Sequence, residues 1–139
     1  MIARENMFVP LLTADPSFAP KWQAFCEAWR DAADRPMYVA LSELALHLIG
    51  KLAAQQTDAF EAVFEVVEHW LLEGDQYVRG AASVGLIEDL QNTSLHATTR
   101  PSDFEPWLRP AALHAWKRIA AFWQKVGETR EGASGPAMS

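Results

Sequence analysis

Between Thr57 and Asn92 the apolar positions fall at helical spacing. Phe60, Val63, Phe64, Val67 and Leu71 recur at i, i+3, i+4, i+7 and i+11, the pattern of one helix face. Ala59, Val66 and Trp70 widen that arc. Glu61, Glu65 and Glu68 share an adjacent stripe, because residues three and four apart lie on one side of a helix, and Leu72 continues it. Thr57 or Asp58 is expected to cap the start, and Gly74 to end the helix in the left-handed conformation. Asp75 then caps the next helix at once. So short a linker predicts an antiparallel helical hairpin.

The second arm, about Gln76 to Asn92, is apolar nearly all round, as a buried helix is. Val78, Ala81, Ala82 and Gly85 form a face of small residues, Leu86, Ile87 and Leu90 occupy another side, and Val84 a third. Gly85 costs about 1 kcal/mol of helix propensity, so close approach of a neighbouring backbone is the expected compensation. Asp89 and Asn92 end the small-residue face and need partners if they are covered.

The remaining chain reads as helices separated by proline and polar punctuation. Residues 2–13 predict a short first helix limited by Pro10. Asp15 before Pro16, or Ser17 before Pro20, starts a second, with Trp22, Phe25, Cys26 and Trp29 on one face. Asp34 is the expected cap of a third, about Pro36 to Ala54, with Leu41, Leu44, Ala45, Leu48 and Leu52 in register and Glu43 and His47 on the other side. A polar loop follows Asn92. Ser102 with Glu105 three residues on has the form of a capping box for a short helix. Pro110 opens the last helix, whose buried face is Ala112, Trp116, Ile119, Trp123 and Val126. No useful strand alternation occurs. The expected fold is all-α: one domain over 1–127, with about five main antiparallel helices and two short ones, as a bundle or a short HEAT-like stack, and a flexible tail over 128–139.

Composition narrows the function classes. The chain of 139 residues carries 50% hydrophobic residues and 15 aromatic ones, enough for a real core. A net charge of −6 argues against a nucleic-acid binder, which carries a basic footprint. One cysteine, Cys26, excludes an internal disulfide and is expected to be a buried thiol. The first residues lack the layout of a signal peptide, and no apolar run reaches membrane-spanning length, so a cytoplasmic protein is expected.

Candidate chemistry is sparse. Glu43 and His47, and Glu65 and His69, stand four residues apart, whereas di-iron bundles use Glu-x-x-His, so helix-surface pairing is the favoured reading over a metal site. Ser42, Ser83 and Ser94 have no nucleophile-elbow context, and Gly80 and Gly85 form no phosphate loop. The acidic stripe reads either as a solvated face or as a surface for a basic partner, with Leu72 as an apolar neighbour. Of the six tryptophans, Trp22, Trp29, Trp116 and Trp123 fit buried faces. Trp107, between two prolines, is the candidate exposed anchor.

Three segments carry a family resemblance: YVALSELALHLI at 38–49, FEAVFEVVEHWLLEGD at 60–75 and VRGAASVGLIEDLQN at 78–92, with the aromatic ending AWKRIAAFW. Across most of residues 8–123 the chain resembles small bacterial proteins encoded beside polymorphic toxins, of the Rhs and contact- or secretion-delivered kinds, that are taken to be their immunity proteins. The resemblance implies a cytoplasmic helical protein that binds and blocks one cognate toxin. Such a protein needs no catalytic residues and no cofactor, and it binds neither nucleic acid nor membrane. An acidic inhibitor would be steered toward a basic toxin cleft. The expected partner-binding residues, from charge placement, are Glu61, Glu65, Glu68, Leu72, Asp75, Glu88 and Asp89, with Trp107 as anchor. Two rival readings are a helical adaptor that holds a protein or peptide in a groove, and a metal-dependent enzyme using His47 and His69.

Overall fold

The computed structural model describes residues 1–125 in full. The buried position expected for Val126 and the tail expected over 128–139 lie outside the described residues. The fold is all-α and 74% helical; among the described residues no strand forms and the α-helices number seven. They are α1 (Phe8–Ala14), α2 (Ala19–Ala28), α3 (Met37–Ala53), α4 (Phe60–Glu73), α5 (Gln76–Gly80), α6 (Glu88–Leu90) and α7 (Pro110–Met138). A π-helical segment, Ala81–Ile87, joins α5 to α6, so the second arm of the hairpin is one continuous rod. Short 3₁₀ turns occupy Pro16–Phe18, Thr93–Leu95 and Pro101–Trp107. Among the described residues no helix is long and apolar enough to cross a membrane.

The periodicity of α4 becomes its packing. Phe60, Val63, Phe64, Val67 and Trp70 are all buried, against α1 on one side and α7 on the other. Trp70 is sealed from solvent, and its indole N–H donates to the Met7 carbonyl at 2.9 Å, so burial leaves no polar atom unmet. An aromatic group of Phe8, Phe18, Trp22 and Phe25 extends this core, with Phe8 and Trp22 stacked at 4.3 Å. A second group sits at the other end of α4. There Phe60 meets Phe104 at 5.8 Å and Trp107 at 5.0 Å.

The small-residue face of the π segment packs on α3, as its composition requires. A Cβ on Gly85 would stand 3.3 Å from the Tyr38 ring, tighter than most real contacts, and 3.5 Å from a Leu41 methyl. The ladder widens where Ser83 donates to the carbonyls of Arg79 at 3.0 Å and Gly80 at 3.3 Å. Such back-bonding competes with the helix's own N–H groups.

Four caps differ from their expected chemistry. Neither Thr57 nor Asp58 caps α4, which begins behind Ala59 with no side-chain cap. Gly74 has φ −72° and ψ 154°, extended rather than left-handed. Glycine is required there by crowding, since a Cβ would collide with the Trp70 carbonyl and lie 2.6 Å from a Val78 methyl. The turn is closed by the N-terminal segment: Ile2 N donates to Glu73 O and Asp75 N donates to Ile2 O, both at 2.8 Å. The left-handed residue is instead Gln55, with φ 59°, after α3. There Gln56 N donates to Lys51 O at 2.8 Å and Gln55 N to Leu52 O at 3.1 Å, closing a Schellman-type end. Asp34 does not cap α3, which begins behind Pro36; its carboxylate lies 3.7 Å from Arg4. Nor is Ser102 a cap. The turn starts two residues earlier, at Pro101 behind Arg100, whose N–H donates to Asp103 at 2.9 Å.

Candidate partner-binding surface

The helix–helix seams fix where the acidic and aromatic side chains end up. On α4 the stripe divides. Glu61 and Glu65 are exposed, and Glu65 lies 3.8 Å from the Arg109 guanidinium. Glu68 is only 7% exposed, because the start of α7 docks over it. Its two carboxylate oxygens accept from Ala111 N at 2.8 Å and Ala112 N at 2.9 Å, saturating two of the N–H groups that a helix start leaves open. The stripe expected as one surface is therefore two exposed glutamates and one buried cap. Leu72, 65% exposed, still stands beside the first two on the open side of α4.

The other expected contact residues have structural roles. Asp75 caps α5, accepting from Val78 N at 2.9 Å. Asp89 is half-buried and accepts from the Ser42 hydroxyl at 2.7 Å, tying α6 to α3, and Glu88 beside it is half-buried. Trp107 is not an exposed anchor: it is half-buried, edge-on against Phe60. Of the tryptophans expected in the core, Trp116 is buried and Trp22 half-buried, but Trp29 and Trp123 reach the surface, Trp123 at 43%. Cys26 is half-buried and receives Arg35 Nη1 at 3.4 Å.

His47 turns inward rather than pairing with Glu43 on the helix surface. Its Nε2 lies 3.1 Å from Asp15 Oδ2 and 3.1 Å from Ser17 Oγ, and Lys21 Nζ lies 3.3 Å from Nδ1. The Ser17 hydroxyl in turn donates to Asp15 Oδ1, making a short contact. Burial depresses the His47 pKa below its ordinary 6.5, as do Lys21 and Lys51, and these outweigh the attraction of Asp15. The neutral ring then donates Nε2–H to Asp15 and accepts from Lys21 at Nδ1. For Asp15, burial alone would raise the pKa, but the Ser17 hydrogen bonds and the charge on His47 carry it below its ordinary value. An acid, an imidazole and a hydroxyl meet here without the order of a hydrolytic triad. In a triad the acid and the nucleophile hold opposite ring nitrogens. Here both sit on Nε2, and the cluster clasps the α1–α2 corner onto α3. His69 likewise faces Glu73, at 4.0 Å, rather than Glu65.

The most site-like feature lies along one flank of α7. Trp116, Ala120 and Trp123, spaced i, i+4 and i+7, form one wall of a groove of about 440 Å³. Gln91 and Asn92 from the end of α6, and Ser102 and Glu105 from the 3₁₀ turn, form the other. Gln91 Nε2 donates to the Trp116 carbonyl at 2.7 Å. That carbonyl fixes the amide's orientation, since two oxygens facing each other would repel. Gln91 Oε1 is consequently left buried with no hydrogen-bond partner, alone in this among the buried side-chain polar atoms of the described residues. Beside the groove Phe122 is 57% exposed, its ring 5.9 Å from that of Trp123. The periodicity that assigned Trp123 to the core was correct in phase, but no element covers that level of α7.

A family model for a domain of unknown function, DUF7674, matches residues 8–124. The chain belongs to the DUF7674 family. No curated protein and no solved structure matches it. The DUF7674 span takes in the whole helical core, the His47 clasp and the complete lining of the aromatic groove, from Gln91 to Trp123.

Proposed function

We propose that this DUF7674 protein is an immunity protein that neutralises a cognate bacterial toxin domain by stoichiometric binding, with the aromatic flank of α7 in the interface. The observation that carries this reading is the unmet Gln91 acceptor in a groove walled by an exposed tryptophan. A buried acceptor without a donor costs about 1–3 kcal/mol, and a donor supplied by a partner removes that cost. Trp123 and Phe122 supply the large, rigid apolar area from which interface hot spots are built. The toxin is supported by the resemblance of segments 38–49, 60–75 and 78–92. A net charge of −6, with Glu61 and Glu65 exposed, suits steering toward a basic cleft. Action in the cytoplasm belongs to the same reading.

The test is co-expression with the product of the neighbouring toxin gene. Growth rescue and co-purification at one to one are expected. Trp123→Ala should raise Kd at least tenfold, about 1.4 kcal/mol, with an unchanged unfolding transition. Reversing Glu61 and Glu65 to lysine should slow association, most at low ionic strength. Absence of both rescue and co-purification removes the immunity reading. Specific capture of a non-toxin protein in the same groove would establish a helical adaptor instead.

A further inference from the structure

The opposite flank of α7 carries a different chemistry. Leu71 at the end of α4, Gln76 and Arg79 on α5, Ser83 on the π segment, and His114 and Arg118 on α7 line an open groove of about 720 Å³. Within α7, Ala111, His114, Ala115 and Arg118 stand at i, i+3, i+4 and i+7, and Ala115 is buried. The helix thus presents its aromatic wall on one side of its buried seam and this basic wall on the other. Arg79, His114 and Arg118 are all exposed, and none has a side-chain hydrogen bond or ion pair among the described residues. Two carboxylates on the same elements are already engaged: Asp75 accepts from Val78 N, and Glu68 from the Ala111 and Ala112 N–H groups. A chain with 18 acidic and 12 basic residues therefore brings two guanidinium groups to the lining of one groove, where neither has a carboxylate partner among the described residues.

We propose that this groove docks an acidic peptide segment of a partner protein, with carboxylate side chains received by Arg79 and Arg118. Guanidinium forks accept carboxylates bidentately, the geometry that gives arginine its place in anion recognition. Leu71, Ala111 and Ala115 add apolar lining beside them, and the groove is open rather than a closed cup. Those features fit the alternating apolar and acidic side chains of a peptide better than a single small anion. The proposal stands apart from the toxin reading: it uses the other side of α7 and holds whatever the partner is.

The test uses the full chain and a fluorescein-labelled decapeptide of alternating glutamate and alanine or leucine, followed by fluorescence polarisation. Saturable binding is expected, weakening as salt rises, because the local attraction overrides the net charge of −6. Arg79→Glu combined with Arg118→Glu should weaken it at least tenfold. Both side chains are exposed, so the fold should be kept, as circular dichroism would verify. Arg30→Glu, exposed beyond the end of α2 and outside both grooves, serves as the control and should weaken binding less than about twofold. A lysine-for-glutamate version of the peptide should not bind. The proposal is overturned by no binding, by affinity that rises with salt, or by loss of less than threefold in the double-arginine variant. Displacement of the peptide by inorganic pyrophosphate at equal concentration would also overturn it, assigning the groove to a small oxyanion.

Discussion

Glu68 and Gln91 invite comparison, because each reaches from the hairpin onto α7 and each is covered there. Glu68 places both oxygens on backbone N–H groups at the helix start. Gln91 satisfies only its nitrogen, on a carbonyl further along, and leaves its oxygen unmet. The first is a finished contact: every polar atom brought out of water has regained a partner. The second is an unfinished one. A polar group that folding has already satisfied has nothing to offer a ligand, whereas one left wanting can be completed by something from outside. On that criterion the acidic stripe loses its most central member as a recognition residue, and the flank of α7 near Trp123 gains one.

The largest effect should come from breaking the finished contact. Glu68→Leu would leave the Ala111 and Ala112 N–H groups covered and unpaired, at an expected cost of about 3 kcal/mol in urea unfolding. A loss below about 1 kcal/mol would mean that α7 begins independently of its cap. The His47 clasp extends the comparison into pH. Its folded pKa lies below 6.5, so the unfolded chain takes up the proton first, and stability should fall as pH drops below 6.5. Asp15, held below 3.8, adds a second decline as pH falls further, through its folded value. His47→Asn should flatten the first decline and shrink the second, because His47 is part of what lowers the Asp15 pKa. An unchanged slope between pH 7 and 5 would show that His47 does not titrate as a buried neutral ring. The smallest effect belongs to the unfinished contact. In Gln91→Met the unmet oxygen disappears along with its nitrogen, while the Trp116 carbonyl keeps its place in the helix ladder. Stability should change by less than about 0.5 kcal/mol, although partner binding through the groove should weaken. A destabilisation near that of Glu68→Leu would erase the distinction.

Much of the architecture was legible in the residues. The spacing of Phe60 to Leu71 anticipated which face of α4 is buried, and the small side chains around Gly85 anticipated the close approach of α3. Periodicity, however, reports only which side of a helix is apolar, and is silent about what comes to lie on the rest. Glu68 shared its phase with Glu61 and Glu65, and only the arrival of residues 111 and 112 distinguishes it. His47 looked like a surface partner for Glu43 because Asp15, 32 positions away, carries no local sign of its destination. Trp123 failed in the reverse sense, being in phase with the core but beyond the level at which anything covers it. Gly74 was recognised as a turn, although the reason it must be glycine is a collision with Trp70 and Val78 rather than its own torsion.

The π segment has a geometric corollary. A ladder closed five residues ahead winds more slowly than one closed four ahead, and over Ala81–Ile87 the lag amounts to roughly one residue's rotation. Everything downstream is turned by that offset. Gln91 reaches Trp116 because the rod is underwound just before it.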